Sequence, residues 1–208
     1  MISKEENILF AAEKLFAQQG FEKTSTREIS KEANVNISMI SYYFGSKEKL
    51  LESLFEMRMS ESQTYIKEIM SNSELNEWQK ISLIIDRYTE RVRTYKTFYT
   101  ILQTEQLTNK NEQIIQFLKN SKHGFLEMYK KLAEDGFNNG IFKNEPNIIL
   151  MHATLAGTLF YGMNGLPMYK EYLKVSDNEE NYDKEYYKEL NSHIKLIIKN
   201  ILGYEEVK

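Results

Sequence analysis

Apolar side chains recur along most of the chain at the three- and four-residue spacing of an α-helix. The first stripe of this kind consists of Ile8, Leu9, Ala12, Leu15 and Phe16. Ser3 with Glu6 three positions later predicts a capping box at its start, and Gly20 predicts a left-handed stop at its end. The pattern therefore predicts a helix that begins after Ser3 and ends before Gly20.

Two short helices are predicted next. Ser25 and Glu28 repeat the capping pair and open a helix of about two turns that stops near Asn34. After a short connection, residues 37–44 form a second helix, which Gly45 closes. The side chains predicted to face the core are Ile29, Ala33, Ile40 and Phe44.

From Lys47 towards Ile69 the helical pattern runs too far to belong to the small N-terminal bundle alone, so this helix is expected to connect two domains. Further helices are predicted at 76–93, 98–107, 111–137, 147–165 and 183–202. The predicted fold is all-α: an N-terminal three-helix bundle joined by a long helix to a C-terminal helical domain.

Composition agrees with helices and narrows the chemistry. Nine glycines and two prolines are too few for the turns of many short strands, and the absence of cysteine excludes disulfides and thiolate metal sites. Residues 147–169 are uncharged but include His152 and Pro167, and we interpret them as a buried helix rather than a membrane span. The first residues do not follow a signal-peptide layout, so the expected location is the cytoplasm, with no membrane partner.

A short helix, a tight turn and a second short helix with a polar and aromatic outer face is the layout of a helix-turn-helix, here at residues 25–44. Spacing alone is weak support, because many helical proteins contain such corners. The net charge of −3, with equal numbers of basic and acidic residues up to position 50, argues against a broad basic surface. DNA contacts would have to come from a few well-placed side chains.

The motifs at these positions are more specific. The chain reads AAEKLF at 11–16, GF at 20–21, TSTREI at 24–29, ANV at 33–35 and ISYYFGSKEKLL at 40–51. Over residues 3–62 this resembles the DNA-binding domain of TetR-family transcriptional regulators. The resemblance implies a DNA-binding domain at 1–62 and a ligand-binding and dimerisation domain at 63–208. It also implies a homodimer, usually a repressor, that a small molecule releases from a near-palindromic operator.

Position by position, the resemblance places Thr26 and Arg27 at phosphates or a base edge and Lys47 at a phosphate. Many members carry tyrosine at the position of Ser41. The resemblance therefore implies that the hydroxyls of Tyr42 and Tyr43 make more of the phosphate and base contacts. The full set of predicted DNA-binding residues is Thr26, Arg27, Ile37, Ser38, Met39, Ser41, Tyr42, Tyr43 and Lys47.

The C-terminal region is rich in aromatic and methionine side chains with few ionisable groups, which favours a mainly apolar or aromatic small molecule. The residues expected to line its pocket are Tyr88, Arg91, Phe98, Leu102, Phe125, Tyr129 and His152. Small residues at helical spacing beside aromatic ones predict the dimer interface. Its members are Ala153, Gly157, Phe160, Tyr161, Leu190, Ile194, Ile197, Ile198 and Ile201.

Other function classes stay open at this point. Because no Ser/His/Asp arrangement, carboxylate pair or glycine-rich phosphate loop stands out, we predict no catalytic residue, no metal and no cofactor. A helical protein-interaction scaffold, or a helical enzyme or protein that sequesters a small molecule, would not bind DNA at all. A regulator differs from both by a salt-dependent, sequence-specific affinity for DNA.

Overall fold

A computed structural model of the chain describes residues 3–108, 111–175 and 180–206. Within these ranges the secondary structure is helical. In chain order the helices are α1 (Lys4–Gln19), α2 (Thr26–Glu32), α3 (Ser38–Phe44), α4 (Lys47–Ser71), α5 (Glu77–Thr94), α6 (Lys96–Thr108), α7 (Glu112–Asn138), α8 (Ile148–Leu173) and α9 (Glu180–Leu202). The predicted all-α fold is confirmed.

Two packing units divide the chain. Unit 1 consists of the described residues up to Thr64 together with Tyr95–Ser121, and unit 2 consists of Tyr65–Thr94 and the described residues from Lys122 onward. Helices α4 and α7 each continue from one unit into the other, as the prediction of a long connecting helix from Lys47 required. The packing boundary in α4 falls close to the predicted division after residue 62, but α6 and the first part of α7 pack with unit 1.

Unit 1 is built around α1. This helix packs against α2 and α6 through a stripe that leaves Ile8 and Ala12 fully buried. The predicted capping box is present, since the Ser3 amide donates to Glu6 Oε2 and the Ser3 hydroxyl accepts from the Glu6 amide. On α4, Phe55 makes an edge contact with Phe98 of α6 at 5.6 Å between ring centroids, so α6 is part of the same core.

Gly20 ends α1 with a φ of +83°, a conformation that L side chains rarely adopt, and its amide donates to the Phe16 carbonyl. Its ψ of 160° lies outside the left-handed helical region that the sequence predicted. Phe21 nevertheless folds back as expected, since it is buried with its ring 5.3 Å from that of Phe16.

Unit 2 consists mainly of α5, α8 and α9 packed against one another. Its core includes Ile81 and Ile85 of α5, Leu155 and Met163 of α8, and Ile198 of α9. An amide–carbonyl bond from Asn144 to Leu202, at 3.2 Å, fixes the end of α9 to the segment before α8. The ring of Tyr204 then stacks on Trp78.

Helix α8 differs from its prediction in extent and in burial. It continues through Pro167 to Leu173 and ends at Lys174, whose φ of +55° and ψ of +36° are left-handed. One face carries the buried residues, whereas the opposite face leaves large apolar side chains exposed, so within one chain only one side of the predicted buried helix is covered. In the described part of the chain, no helix is long and apolar enough to span a membrane.

The predicted dimer residues separate into an exposed, a half-buried and a buried group. The half-buried members are Phe160, Leu190, Ile197 and Ile201. Ala153, Gly157 and Tyr161 lie on the exposed face of α8, where the phenol is 72% exposed. Ile194 and Ile198 instead belong to the core of their own unit, at 1% and 0% exposure, so their side chains are already covered within one chain. Helical periodicity shows which residues share a face, but it cannot tell whether a neighbouring helix or a second chain covers it.

Candidate nucleic-acid interface

The first helix of the helix-turn-helix, α2, starts at the predicted capping box. The amide of Ser25 donates to Glu28 Oε2 at 2.8 Å, and the amide of Glu28 donates to the Ser25 hydroxyl at 3.2 Å. The pKa of the Glu28 carboxyl is lowered by three hydrogen bonds that it accepts. In order of effect, the donors are the Ser25 amide, the Ser25 hydroxyl and the Gln19 side-chain amide. Directly after this cap, Arg27 is exposed and Thr26 is half-buried at the start of the helix.

The turn between α2 and α3 is held from two sides. Asn34 has a φ of +50°, and the following amide of Val35 donates back to the Ser30 carbonyl at 3.0 Å. From α1, the Asn7 side-chain amide donates to the Ala33 carbonyl at 2.7 Å. The end of α2 is therefore fixed to the turn by a main-chain hydrogen bond and to α1 by a side-chain amide.

The second helix, α3, begins at Ser38 rather than at the predicted Ile37, and its N-cap residue Ile37 makes no side-chain capping bond. An Asx turn precedes it, in which Asn36 Oδ1 accepts from the Ser38 amide at 2.9 Å and from the Ser38 hydroxyl at 2.8 Å. Asparagine just before a short helical pattern is a recognisable signal for such a turn. Buried Ile40 and Phe44 anchor the helix, as predicted.

The outer face of α3 is exposed and aromatic. Tyr42 is 81% exposed and meets the ring of Tyr43 edge-on at 5.0 Å, while Ile37 is 47% exposed. Ser38 and Ser41 are also exposed, and Met39 is half-buried. Hydroxyl groups that both donate and accept, next to an exposed apolar side chain, suit the base edges and thymine methyl groups of a major groove.

The side chain of Lys47, at the first position of α4, bonds back to the turn before α2. Its Nζ donates to the carbonyls of Phe21 and Thr24, at 2.9 and 3.1 Å, and lies 4.2 Å from the centre of the Phe21 ring. The side chain is half-buried. A phosphate contact was predicted for Lys47 from the sequence. Its partners within the protein lie more than twenty positions away along the chain, so no local pattern indicates them.

The residues predicted to line a ligand pocket are divided between the two packing units. Phe98 and Leu102 lie in unit 1, where Phe98 is buried, whereas the other five lie in unit 2. Within unit 2, Tyr129 is buried and its ring lies 6.3 Å from that of His152. Burial and the charge of Lys122 lower the pKa of His152, which favours its neutral form.

A cleft of about 460 Å³ in unit 1 was not predicted. It lies beside an ion pair between Glu13 and Arg58 and contains none of the predicted pocket residues. Its lining consists of Phe10, Glu13, Lys14, Ala17, Gln18, Arg58 and Thr97. The signal in the sequence was Glu13 itself, a carboxylate that falls on the buried side of α1 next to Leu9 and Phe16.

Comparison with known proteins identifies the class to which this geometry belongs. The family model described as "Bacterial regulatory proteins, tetR family" matches residues 8–54, which include α2 and α3. The transcriptional repressor NicS of Pseudomonas putida is 31% identical over 157 residues, which cover 72% of this chain and 70% of that protein. The "Fatty acid metabolism regulator protein" of Bacillus subtilis is 24% identical over 152 residues, which cover 73% of this chain and 77% of that protein.

Solved structures share the fold over nearly the whole chain. A TetR family regulator from Shewanella sp. PV-4 matches with a TM-score of 0.70 at 23% identity, covering 98% of this chain and 100% of that one. FadR from Bacillus subtilis, in complex with stearoyl-CoA, matches with a TM-score of 0.72 at 20% identity, covering 96% and 98%. The protein is a helix-turn-helix transcriptional regulator. It belongs to the TetR family.

Proposed function

We propose that this regulator is a repressor that binds a near-palindromic operator as a homodimer and leaves it when a small molecule binds. The observation that carries the DNA-binding part is the exposed face of α3, where Tyr42 stands 81% exposed on a helix anchored by Ile40 and Phe44. A large aromatic side chain kept in solvent on a rigid helix is suited to contact a partner. The similarity to a named repressor supports the direction of control.

The residues that we propose to contact DNA lie at the start of α2 or along α3, and each is exposed or half-buried. Arg27 can bond a guanine edge in two places or a phosphate, and Ile37 can contact a thymine methyl group. The remaining proposed contacts are Thr26, Ser38, Met39, Ser41, Tyr42 and Tyr43. Residues 1–62 carry this activity in our proposal, residues 63–208 serve dimerisation and ligand binding, and the protein acts in the cytoplasm.

The proposed dimer surface is the exposed face of α8. Ile149, Ala153, Gly157 and Tyr161 follow one another at four-residue intervals on that face, and Ile149 is 70% exposed. A Cβ at Gly157 would meet no heavy atom within 4 Å, so this position is open for the close approach of a second helix. Two-fold pairing would present two copies of α3 about 34 Å apart, one helical turn of DNA.

For the ligand we propose a mainly apolar molecule bound by the 63–208 region, with a long-chain acyl-CoA as the first candidate. FadR, which shares the fold, was crystallised with stearoyl-CoA, and a relative of this chain is named as a regulator of fatty acid metabolism. In unit 2, buried Tyr129 beside neutral His152 offers polar groups within an apolar surrounding. These two residues are our first candidates for ligand contacts.

Selection of bound DNA from a random pool tests the central claim. We expect one enriched near-palindromic sequence, bound far more tightly than a scrambled control, and a mass of two chains by light scattering. Stearoyl-CoA is then titrated into the complex, with stearate and free coenzyme A as controls. Equal affinity for selected and scrambled DNA would contradict the DNA-binding proposal, and an unchanged operator affinity with stearoyl-CoA would remove the acyl-CoA candidate.

A further inference from the structure

Lys47 connects the two ends of the helix-turn-helix. Its backbone follows α3 after only Gly45 and Ser46, and its side chain reaches the Phe21–Thr24 turn, which leads into α2. One ammonium group thus joins the segment that precedes α2 to the segment that follows α3. Since α2 and α3 carry the proposed DNA contacts, the position of this side chain bears on the orientation of both helices.

The internal site of the ammonium is well formed. An ammonium has three N–H groups, and here two hydrogen bonds end on carbonyl oxygens at 2.9 and 3.1 Å, while the Phe21 ring face lies 4.2 Å from Nζ. Bonds from a charged donor are stronger than neutral ones, and the ring adds a cation–π contact. A phosphate would have to compete with this set of partners for the same ammonium.

The turn depends on this contact. The Phe21 carbonyl accepts from both the Thr24 amide, at 3.2 Å, and Lys47, and the Thr24 hydroxyl donates to the Gly20 carbonyl at 2.8 Å. Ser25, the cap of α2, comes directly after Thr24. The position of the turn therefore determines where the cap and the exposed Arg27 lie. Without the ammonium, two carbonyl groups directed at one point would lose their shared donor.

We propose that Lys47 is a positioning residue for DNA recognition and not a phosphate contact: it holds the Phe21–Thr24 turn against the start of α4 and thereby sets the orientation of α2. This inference rests on the proposed function, because it concerns how the same surface meets DNA. It makes a prediction opposite to that of a phosphate contact. Loss of the side chain should weaken binding without changing the number of counterions released.

The experiment measures operator affinity against salt concentration for the wild type, Lys47→Met, Lys47→Arg, Lys49→Met and Arg27→Ala. Lys49→Met removes the same charge from the same helix, from an exposed side chain paired with Glu52, and is the matched control. Each phosphate contact contributes about 0.9 to the slope of log affinity against log salt. Hydrogen exchange of the Thr24 amide, which donates to the Phe21 carbonyl, reports on the turn in free protein.

We expect Lys47→Met to weaken operator binding roughly tenfold or more with an unchanged salt slope, while Arg27→Ala lowers the slope by about one. The Thr24 amide should exchange faster in Lys47→Met than in Lys49→Met. Lys47→Arg keeps the charge but replaces the compact ammonium by a planar fork, so we expect weakened binding with this variant too. It serves as the test if Lys47→Met does not fold.

Three results would overturn the inference: a slope lowered by about 0.9 in Lys47→Met, wild-type affinity in Lys47→Met, or wild-type affinity in Lys47→Arg. Failure of the proposed function looks different, because the wild type itself would then show no preference for a selected operator. The role of Lys47 in recognition would fall with it. Exchange at Thr24 would still decide whether the contact holds the turn.

Discussion

Glu13 of α1 and Arg58 of α4 form an ion pair in which the Nε and Nη2 groups of the arginine both donate to Glu13 Oε2, at 2.9 and 2.6 Å. The side chains are 9% and 18% exposed, and the guanidinium lies 4.4 Å from the centre of the Tyr95 ring. The pair therefore fixes the first helix of the DNA-binding region to the helix that continues into unit 2. Removal of one partner leaves a charge that water reaches poorly.

The first prediction concerns this pair. We expect Arg58→Met to lower the free energy of unfolding by roughly 2–4 kcal/mol, because Glu13 would remain charged in a shielded site. Adding Glu13→Leu should restore part of the loss, since no isolated charge then remains. The measurement is denaturant unfolding at a fixed protein concentration.

The control for the ion pair is Lys14→Met, whose partner Glu32 lies on the surface, where both side chains are more than a third exposed. Exposed pairs contribute at most about 1 kcal/mol. If Arg58→Met and Lys14→Met destabilise the protein equally, the Glu13–Arg58 pair has no special role in unit 1.

The second prediction separates recognition from stability on α3. Tyr42→Ala should weaken operator binding by about 1–3 kcal/mol if the side chain reaches base edges, and leave the free energy of unfolding within about 0.5 kcal/mol. Tyr42→Phe shows how much of that effect belongs to the hydroxyl. Affinity is measured by fluorescence anisotropy with the selected operator.

Phe44→Ala is the matching core variant on the same helix. Phe44 is 8% exposed, so its truncation should cost roughly 3–5 kcal/mol of stability. Unchanged operator affinity in Tyr42→Ala would remove this side chain from the proposed interface, whatever the result for Phe44.

Local signals in the sequence predicted local structure well. The two capping boxes, at Ser3 and Ser25, involve residues three positions apart, and both are present. The core positions Ile29 and Ile40 follow from helical periodicity and are fully or almost fully buried. Such features depend on neighbours along the chain, which a sequence displays directly.

Contacts between residues that are distant along the chain could not be predicted from these local signals. The partners of Lys47 and the burial of Ile194 and Ile198 depend on which elements meet in space. The end of α8 was missed for a similar reason. The helix was predicted to end at residue 165, but Leu166 is buried and Lys170 pairs with Asp183 of α9, so tertiary contacts support the helix beyond Pro167.

The third prediction tests α8 as the dimer surface. Gly157→Glu should convert the dimer to a monomer at micromolar concentration, because two-fold pairing would bring two carboxylates together at the closest approach. Folding should not suffer, since glutamate favours a helix more than glycine does and the position is open. Light scattering and circular dichroism measure the two effects.

Gly157→Ala and Gly162→Ala complete the dimer test. We expect the first to remain a dimer. At Gly162 a Cβ would lie 2.8 Å from Leu190 Cδ2, the end of a flexible side chain, so we expect the cost of moving that side chain to be largely offset by the better helix propensity of alanine. A dimer that survives Gly157→Glu places the interface elsewhere.

The last prediction concerns His152 and the dependence of stability on pH. Burial, and secondarily the charge of Lys122, hold the pKa of His152 below its ordinary value of 6.5. The folded protein therefore binds fewer protons at this position than the unfolded chain does. The stability that His152 contributes is fully present above pH 6.5 and is lost as the pH falls from 6.5 through the lowered pKa.

We expect the denaturation midpoint of His152→Gln to change less than that of the wild type between about pH 7.5 and about pH 5.5. His123→Gln is the control, because it removes the same kind of side chain from a position that is 74% exposed. An equally steep profile in His152→Gln would show that this imidazole titrates as freely in the folded protein as in the unfolded chain, and would remove it from the proposed apolar surroundings of the ligand.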